Sequence, residues 1–189
     1  MKIGIIDSGK GALGIAEGIK SLNCELLIIM DVAFFPYGNK SKDFLCKRAL
    51  YLCDYLITKG VDIIILGCNT LSIYVLEFLK KSIDIKIYGV FDLIKNEINE
   101  KNIVVASKLT CDYINNNYKS NVVDGSLWID DIQNNRGISN MVNELKKYEK
   151  KYQKIVLGCT HFLIFKEEYP FKVVVPTNYL LEVLKKEEL

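Results

Sequence analysis

The sequence predicts an α/β fold of two pseudo-symmetric lobes, each a mainly parallel sheet flanked by helices, with the second lobe reduced. Three observations carry that expectation. Short apolar, β-branched runs without polar alternation recur along the chain, segments of helical spacing separate them, and one strand-to-helix junction occurs twice. Runs of the first kind read as strands buried on both faces, and their alternation with amphipathic segments implies parallel crossovers.

Taken in order, residues 3–6 form the first expected strand, which ends in Asp7-Ser8-Gly9-Lys10-Gly11 and leads into helical spacing over 13–22. A second strand at 26–30 precedes the loop 31–40, where Pro36-Tyr37-Gly38 is a turn signal. Residues 41–59 repeat apolar positions at three and four, as an amphipathic helix does. A strand at 61–66, a helix at 71–80 and a strand at 85–90 follow. From 96 to 140 the chain turns rich in Asn, including Asn115-Asn116-Asn117 and Asn134-Asn135, and loses patterning. The expected boundary near Val90 divides a first lobe, 1–89, from a second and shorter one, 90–177. In that lobe strands are expected at 103–106, 154–157 and 172–175, with a helix at 139–151. A terminal helix within 178–189 is expected to complete the first lobe.

Composition narrows the function classes. In 189 residues, 50% are hydrophobic and only 3 are Pro, which describes a folded chain and not a disordered one. A net charge of +2 lacks the basic excess of a nucleic-acid binder. The opening MKIGIIDSG reaches Asp7 after too short an apolar run for a signal peptide, and no stretch approaches the roughly 20 apolar residues of a membrane span. The six cysteines are scattered without a CxxC, so a cytoplasmic protein with reduced thiols, bound neither to nucleic acid nor to membrane, is expected.

The repeated junction is the most informative feature. Asp62-Ile-Ile-Ile-Leu-Gly-Cys68-Asn69-Thr70 is answered by Gln153-Lys-Ile-Val-Leu-Gly-Cys159-Thr160-His161. Each copy sets a thiol where a buried strand gives way to a helix, and helix-start N–H groups favour a thiolate. Cys24, Cys46, Cys53 and Cys111 lack that context and read as packing residues. A thiolate can be a nucleophile, a redox centre, a metal ligand or a base. Only one histidine, His161, is available to support a nucleophile, and no clustered ligands suggest a metal. What remains is paired acid–base chemistry, in which one sulfur removes a proton from carbon and the other returns one to the opposite face. Asp7 can hold an ammonium group, orient a cysteine base or cap a helix. The glycines after it do not match GxGxxG, which disfavours a dinucleotide.

Together these motifs resemble the glutamate racemases and the wider aspartate/glutamate racemase superfamily. The matches are Asp7-Ser8-Gly9, Asp31 with Pro36-Tyr37-Gly38, Gly67-Cys68-Asn69-Thr70 and Gly158-Cys159-Thr160-His161, with a weaker one at 104–110. They cover residues 1–90 well and the remainder in patches. The resemblance implies a pyridoxal-independent two-base mechanism in a cleft between two lobes, without cofactor or metal. Cys68 and Cys159 would be the acid/base residues, assisted by Asp7 and His161 respectively. Ser8, the Tyr37–Gly38 backbone, Asn69, Thr70, Thr110 and Thr160 would bind the amino and carboxylate groups of a small acidic amino acid, glutamate or aspartate. It further implies production of D-glutamate for peptidoglycan, with a homodimer left open.

The chain also departs from the family pattern. It is shorter, with the deficit between Thr110 and Gln153; Gln133 stands where an acidic residue is usual; Lys10 and Ala12 replace small residues. Phe162-Leu163 replaces Tyr-Pro and Asp92-Leu93 replaces Glu-Pro. Two alternatives therefore stand beside glutamate racemisation: a binding or regulatory protein that has lost turnover, and an aspartate racemase or other carbon-acid isomerase.

Overall fold

A computed structural model describes residues 1–187; positions 188 and 189 of the expected terminal helix lie outside the described residues. The first sheet comprises β1 (Lys2–Asp7), β2 (Glu25–Met30), β3 (Ile63–Leu66) and β4 (Lys86–Gly89). It is parallel throughout, in the order β2-β1-β3-β4. Its crossovers are α1 (Gly11–Gly18), α2 (Lys42–Thr58) and the pair α3 (Asn69–Tyr74) and α4 (Leu76–Ser82). A short helix, α5 (Val90–Ile94), leads to the second sheet of β5 (Asn102–Ala106), β6 (Asn121–Asp124), β7 (Lys154–Gly158) and β8 (Val173–Val174). That sheet is also parallel, in the order β6-β5-β7-β8. Its helices are α6 (Lys108–Asn117), α7 (Ser126–Gln133) and α8 (Ser139–Lys146), and α9 (Pro176–Lys185) follows. Among the described residues no helix is long and apolar enough to cross a membrane.

Both sheets thus share one winding: the chain steps from the first strand to the second on one side, then crosses back to the third on the other. At such a reversal the loops leaving the first and third strands diverge, and a crevice opens at the carboxyl ends. Asp7 ends β1 and Cys68 follows β3; Ser107 follows β5 and Cys159 follows β7.

Strand periodicity explains the core. Ile3 and Ile5 of β1, Ile63 and Ile65 of β3, Ile103 and Val105 of β5, and Ile155 and Leu157 of β7 all join one apolar cluster. Their neighbours of opposite parity point away from it. Ile6, Ile64 and Leu66 meet α2 through Leu45, Ala49, Leu52 and Leu56, while Val104, Ala106 and Val156 meet Ile114 of α6. Each fully buried Ile contributes about 2 kcal/mol of hydrophobic stabilisation, so the shared layer is a principal source of stability. Leu180 and Leu184 of α9 enter it too.

The expected elements appear with shifted bounds. The helix expected at 71–80 is two helices, broken at Val75, whose φ of −124° leaves the helical region. That expected at 139–151 ends at Lys146, and the strand expected at 172–175 is reduced to Val173–Val174. Strand β6 and helices α5, α6 and α7 were not among the expected elements. β6 is an edge strand, half-exposed along its length, so its sequence lacks the fully apolar signature of its neighbours.

Helix α1 carries the contact between the halves. Its sequence GALGIAEG sets Gly11, Gly14 and Gly18 on one face. A Cβ on Gly11 would stand 2.2 Å from Thr160 Oγ1, one on Gly14 2.6 Å from Leu163 Cβ, and one on Gly18 2.4 Å from Thr177 Cβ. Glycine is needed at all three for this approach. Gly18→Ala is therefore expected to destabilise by about 1–3 kcal/mol through overpacking, despite alanine's better helix propensity. Urea unfolding should show a lower midpoint at unchanged m-value.

Candidate active site

The carboxyl ends of both sheets converge on a cavity of about 370 Å³. Asp7 and Ser8 reach it from the turn after β1, residues 35–39 from the loop after β2, and Cys68 and Thr70 from the start of α3. The other half supplies residues 107–109, Ser126, Ile129 and Asp130 of α7, and Cys159, Thr160 and His161 after β7. Phe35, Pro36, Leu109 and Ile129 make much of the wall apolar.

Of the sequence-derived candidates, Asp7, Ser8, Tyr37, Gly38, Cys68, Thr70, Cys159, Thr160 and His161 all line this cavity. Asn69 and Thr110 lie behind the wall. The Asn69 amide is buried, and neither its nitrogen nor its oxygen has a hydrogen-bond partner among the described residues. Thr110 is fully buried and its Oγ1 accepts from Ser107 Oγ at 3.2 Å, so Ser107 is the hydroxyl that meets the cavity. Sequence reading did not single out Ser107, Ser126 or Asp130. Ser107 at least follows a buried strand as Ser8 does, a signal that was available.

Asp7 ties the two halves together. Its Oδ2 accepts from Thr160 Oγ1 at 2.7 Å, and its Oδ1 accepts from Gly9 N–H at 3.0 Å and from Ser8 Oγ at 3.5 Å. Burial nevertheless raises its carboxyl to about 6, against these hydrogen bonds, which act to lower it.

The loop after β2 is held from outside the cavity. Asp31 accepts from Arg48 at both oxygens, 2.7 and 2.9 Å, and from Tyr37 OH at 2.6 Å. Burial opposes ionisation of Asp31, but Arg48 and Tyr37 outweigh it and lower its pKa. This fork fixes Tyr37 and sets Gly38 at the cavity wall.

Both cavity thiols rest protonated. Burial, and then the neighbouring Asp7, push Cys68 up to about 11, although the N–H groups of Leu71 and Thr70 favour its thiolate. Burial raises Cys159 well above the ordinary thiol range, against the N–H groups of His161 and Thr160. Cys159 Sγ lies 3.7 Å from His161 Nδ1, and His161 Nε2 lies 2.9 Å from Gln133 Oε1. Burial, with Lys10 as a lesser cause, lowers His161 to about 4, so the ring is neutral near pH 7. The Lys10 ammonium itself donates to Asn135 Oδ1 at 2.6 Å. The arrangement sets two neutral thiols in one cavity, one near a carboxylate and the other against an imidazole nitrogen.

No family model matches the chain. Glutamate racemase of Aquifex pyrophilus is 32% identical over an alignment covering 89% of this chain and 74% of that relative. The crystal structure of glutamate racemase from Campylobacter jejuni superposes with a TM-score of 0.79 at 26% identity, covering 99% of this chain and 86% of that one. Glutamate racemase from Francisella tularensis, solved in complex with D-glutamate, gives 0.77 at 25% identity, covering 98% and 80%.

The state of Asp7 should be visible in the stability profile. Its folded-state value of about 6 lies above the ordinary 3.8, so the folded chain holds the proton more tightly than the unfolded one. The stabilisation this brings is complete below about pH 4 and is lost as pH rises through about 6, a change of about 3 kcal/mol. His161, held low by burial, gives the opposite slope over the same range, so the Asp7 contribution is read as the difference between the urea-midpoint profiles of wild type and Asp7→Asn from pH 4 to 7, which should move against the wild type as pH rises. Parallel profiles for the two proteins would refute the assignment.

Proposed function

The chain belongs to the glutamate racemase family and is an isomerase of the amino-acid racemase type, and from that premise we propose that it interconverts L- and D-glutamate with Cys68 and Cys159 as the paired acid and base. One observation carries this reading. Two strand-end thiols, one from each sheet, open into the same small cavity. An amino acid seated between them presents its α-carbon to a sulfur on either face. Whichever thiol is ionised removes the α-proton, and the other delivers one from the opposite side, which inverts the centre without a cofactor.

Both thiols rest neutral, so one must ionise as the substrate enters. The substrate's ammonium supplies a positive charge that favours a thiolate, and Asp7, charged at neutral pH, attracts that ammonium. Asp7 would assist Cys68, and His161 Nδ1 would take the proton of Cys159. Ser8, Gly38, Thr70, Ser107 and Thr160 would hold the polar ends, with Asn69 and Thr110 supporting from behind. Apolar walls keep the reacting carbon dry, which strengthens each of these interactions. The complex of the Francisella relative with D-glutamate supports glutamate as the substrate, and D-glutamate for peptidoglycan is the product expected to matter to a cell.

In deuterated water, either enantiomer of glutamate should gain deuterium at the α-carbon while inverting. Cys68→Ala or Cys159→Ala should each lower inversion by on the order of 10²–10⁴, the range for loss of a positioned acid or base. If glutamate raises the melting temperature while the α-proton never exchanges, the chain is a binding protein that has lost turnover. Exchange with aspartate alone would reassign the substrate.

A further inference from the structure

Gln133 ends α7, and its side-chain oxygen is held from two sides. The backbone N–H of Lys10 donates to Oε1 at 3.0 Å, and His161 Nε2 stands 2.9 Å from the same atom. A backbone N–H can only donate, so the atom facing Lys10 is an acceptor, and the orientation of the amide is settled. Facing an acceptor at 2.9 Å, Nε2 must carry the ring proton, which leaves Nδ1 a bare lone pair 3.7 Å from Cys159 Sγ. The seat has no slack: a Cβ on Gly9 would stand 2.5 Å from Gln133 Oε1 and 2.9 Å from His161 Nε2. Phe35 packs against the imidazole, with ring centroids 5.4 Å apart.

We propose that Gln133 is a positioning residue that locks His161 in its Nε2–H tautomer, so that Nδ1 serves as the proton acceptor for Cys159. The inference rests on the racemase reading for its consequence in turnover, and on geometry alone for the tautomer. Gln133 is absent from the cavity wall, so its effect reaches substrate only through the ring. An amide, unlike a carboxylate, accepts the Nε2 proton without drawing a second proton onto the imidazole, and His161 stays a neutral base.

His161 is the only histidine of the chain, so histidine-selective ¹⁵N labelling reports on this ring alone. At pH 7 the wild-type protein should show a bare Nδ1 and a protonated Nε2. An Nδ1–H tautomer or an imidazolium overturns the proposal. Gln133→Leu should give mixed tautomers and lower kcat for glutamate inversion on the order of tenfold, a fraction of what a positioned base contributes, with KM nearly unchanged. Gln133→Glu keeps an acceptor oxygen and should recover turnover, but the carboxylate favours the imidazolium, so the acidic limb of the pH–kcat profile should move upward. An unaltered spectrum and an unaltered kcat in Gln133→Leu would refute the assignment. Because the spectrum of the wild-type protein needs no turnover, lack of α-proton exchange defeats the racemase reading and the wrong tautomer defeats this one.

Discussion

The buried hydrogen bond from Thr160 to Asp7 is the contact on which the site depends. It joins the end of β1 to the residue after Cys159, so it sets how far the second thiol stands from the first. The bond exists only because α1 presents glycine toward the other half. With any side chain at position 11, Thr160 would have to move. A local sequence feature, three glycines on one helical face, thus becomes a tertiary distance, and that distance becomes chemistry.

Burial dominates the electrostatics around that contact. Helix-start N–H groups favour thiolates at both cysteines, yet desolvation outweighs them and both sulfurs remain protonated. Among the described residues, Arg48 is held by Asp31 outside the cavity, Lys108 on its rim is paired with Asp112, and the Lys10 ammonium is turned to Asn135. Charge must therefore arrive with the ligand. Thiols that stay neutral at rest add no second buried negative charge beside Asp7, and the full electrostatic benefit appears only once an ammonium is present.

Much of this was legible in the sequence because buried parallel strands leave an apolar signature and because the Leu-Gly-Cys junction is written twice. Cys68 and Cys159 stand out from local context, Asp7 and His161 take their roles from the family resemblance, and all four line the cavity. The rest was hidden for identifiable reasons. β6 and α7 lie in the Asn-rich stretch, where β6 is half-exposed and α7 spans only Ser126–Gln133. The seat of Gln133 on Lys10 joins positions far apart in the chain, and no local pattern encodes it. Arg48 lies within an amphipathic helix, and only the fold brings it to Asp31. Asn69 stands beside Cys68 in sequence, yet the α3 backbone turns its amide inward, away from the wall.

The single apolar layer between the sheets bears on how the cavity can be entered. A hinge that swung the two sheets apart would split the cluster that Ile5, Ile65, Val105 and Leu157 share and wet its surface, at about 25 cal/mol for each Å² exposed. Residues 36–39 and 107–109 at the cavity stand outside that cluster. Movement of these rim residues would cost none of that burial, so the rate of ligand passage through the rim is separable from the stability of the body beneath it.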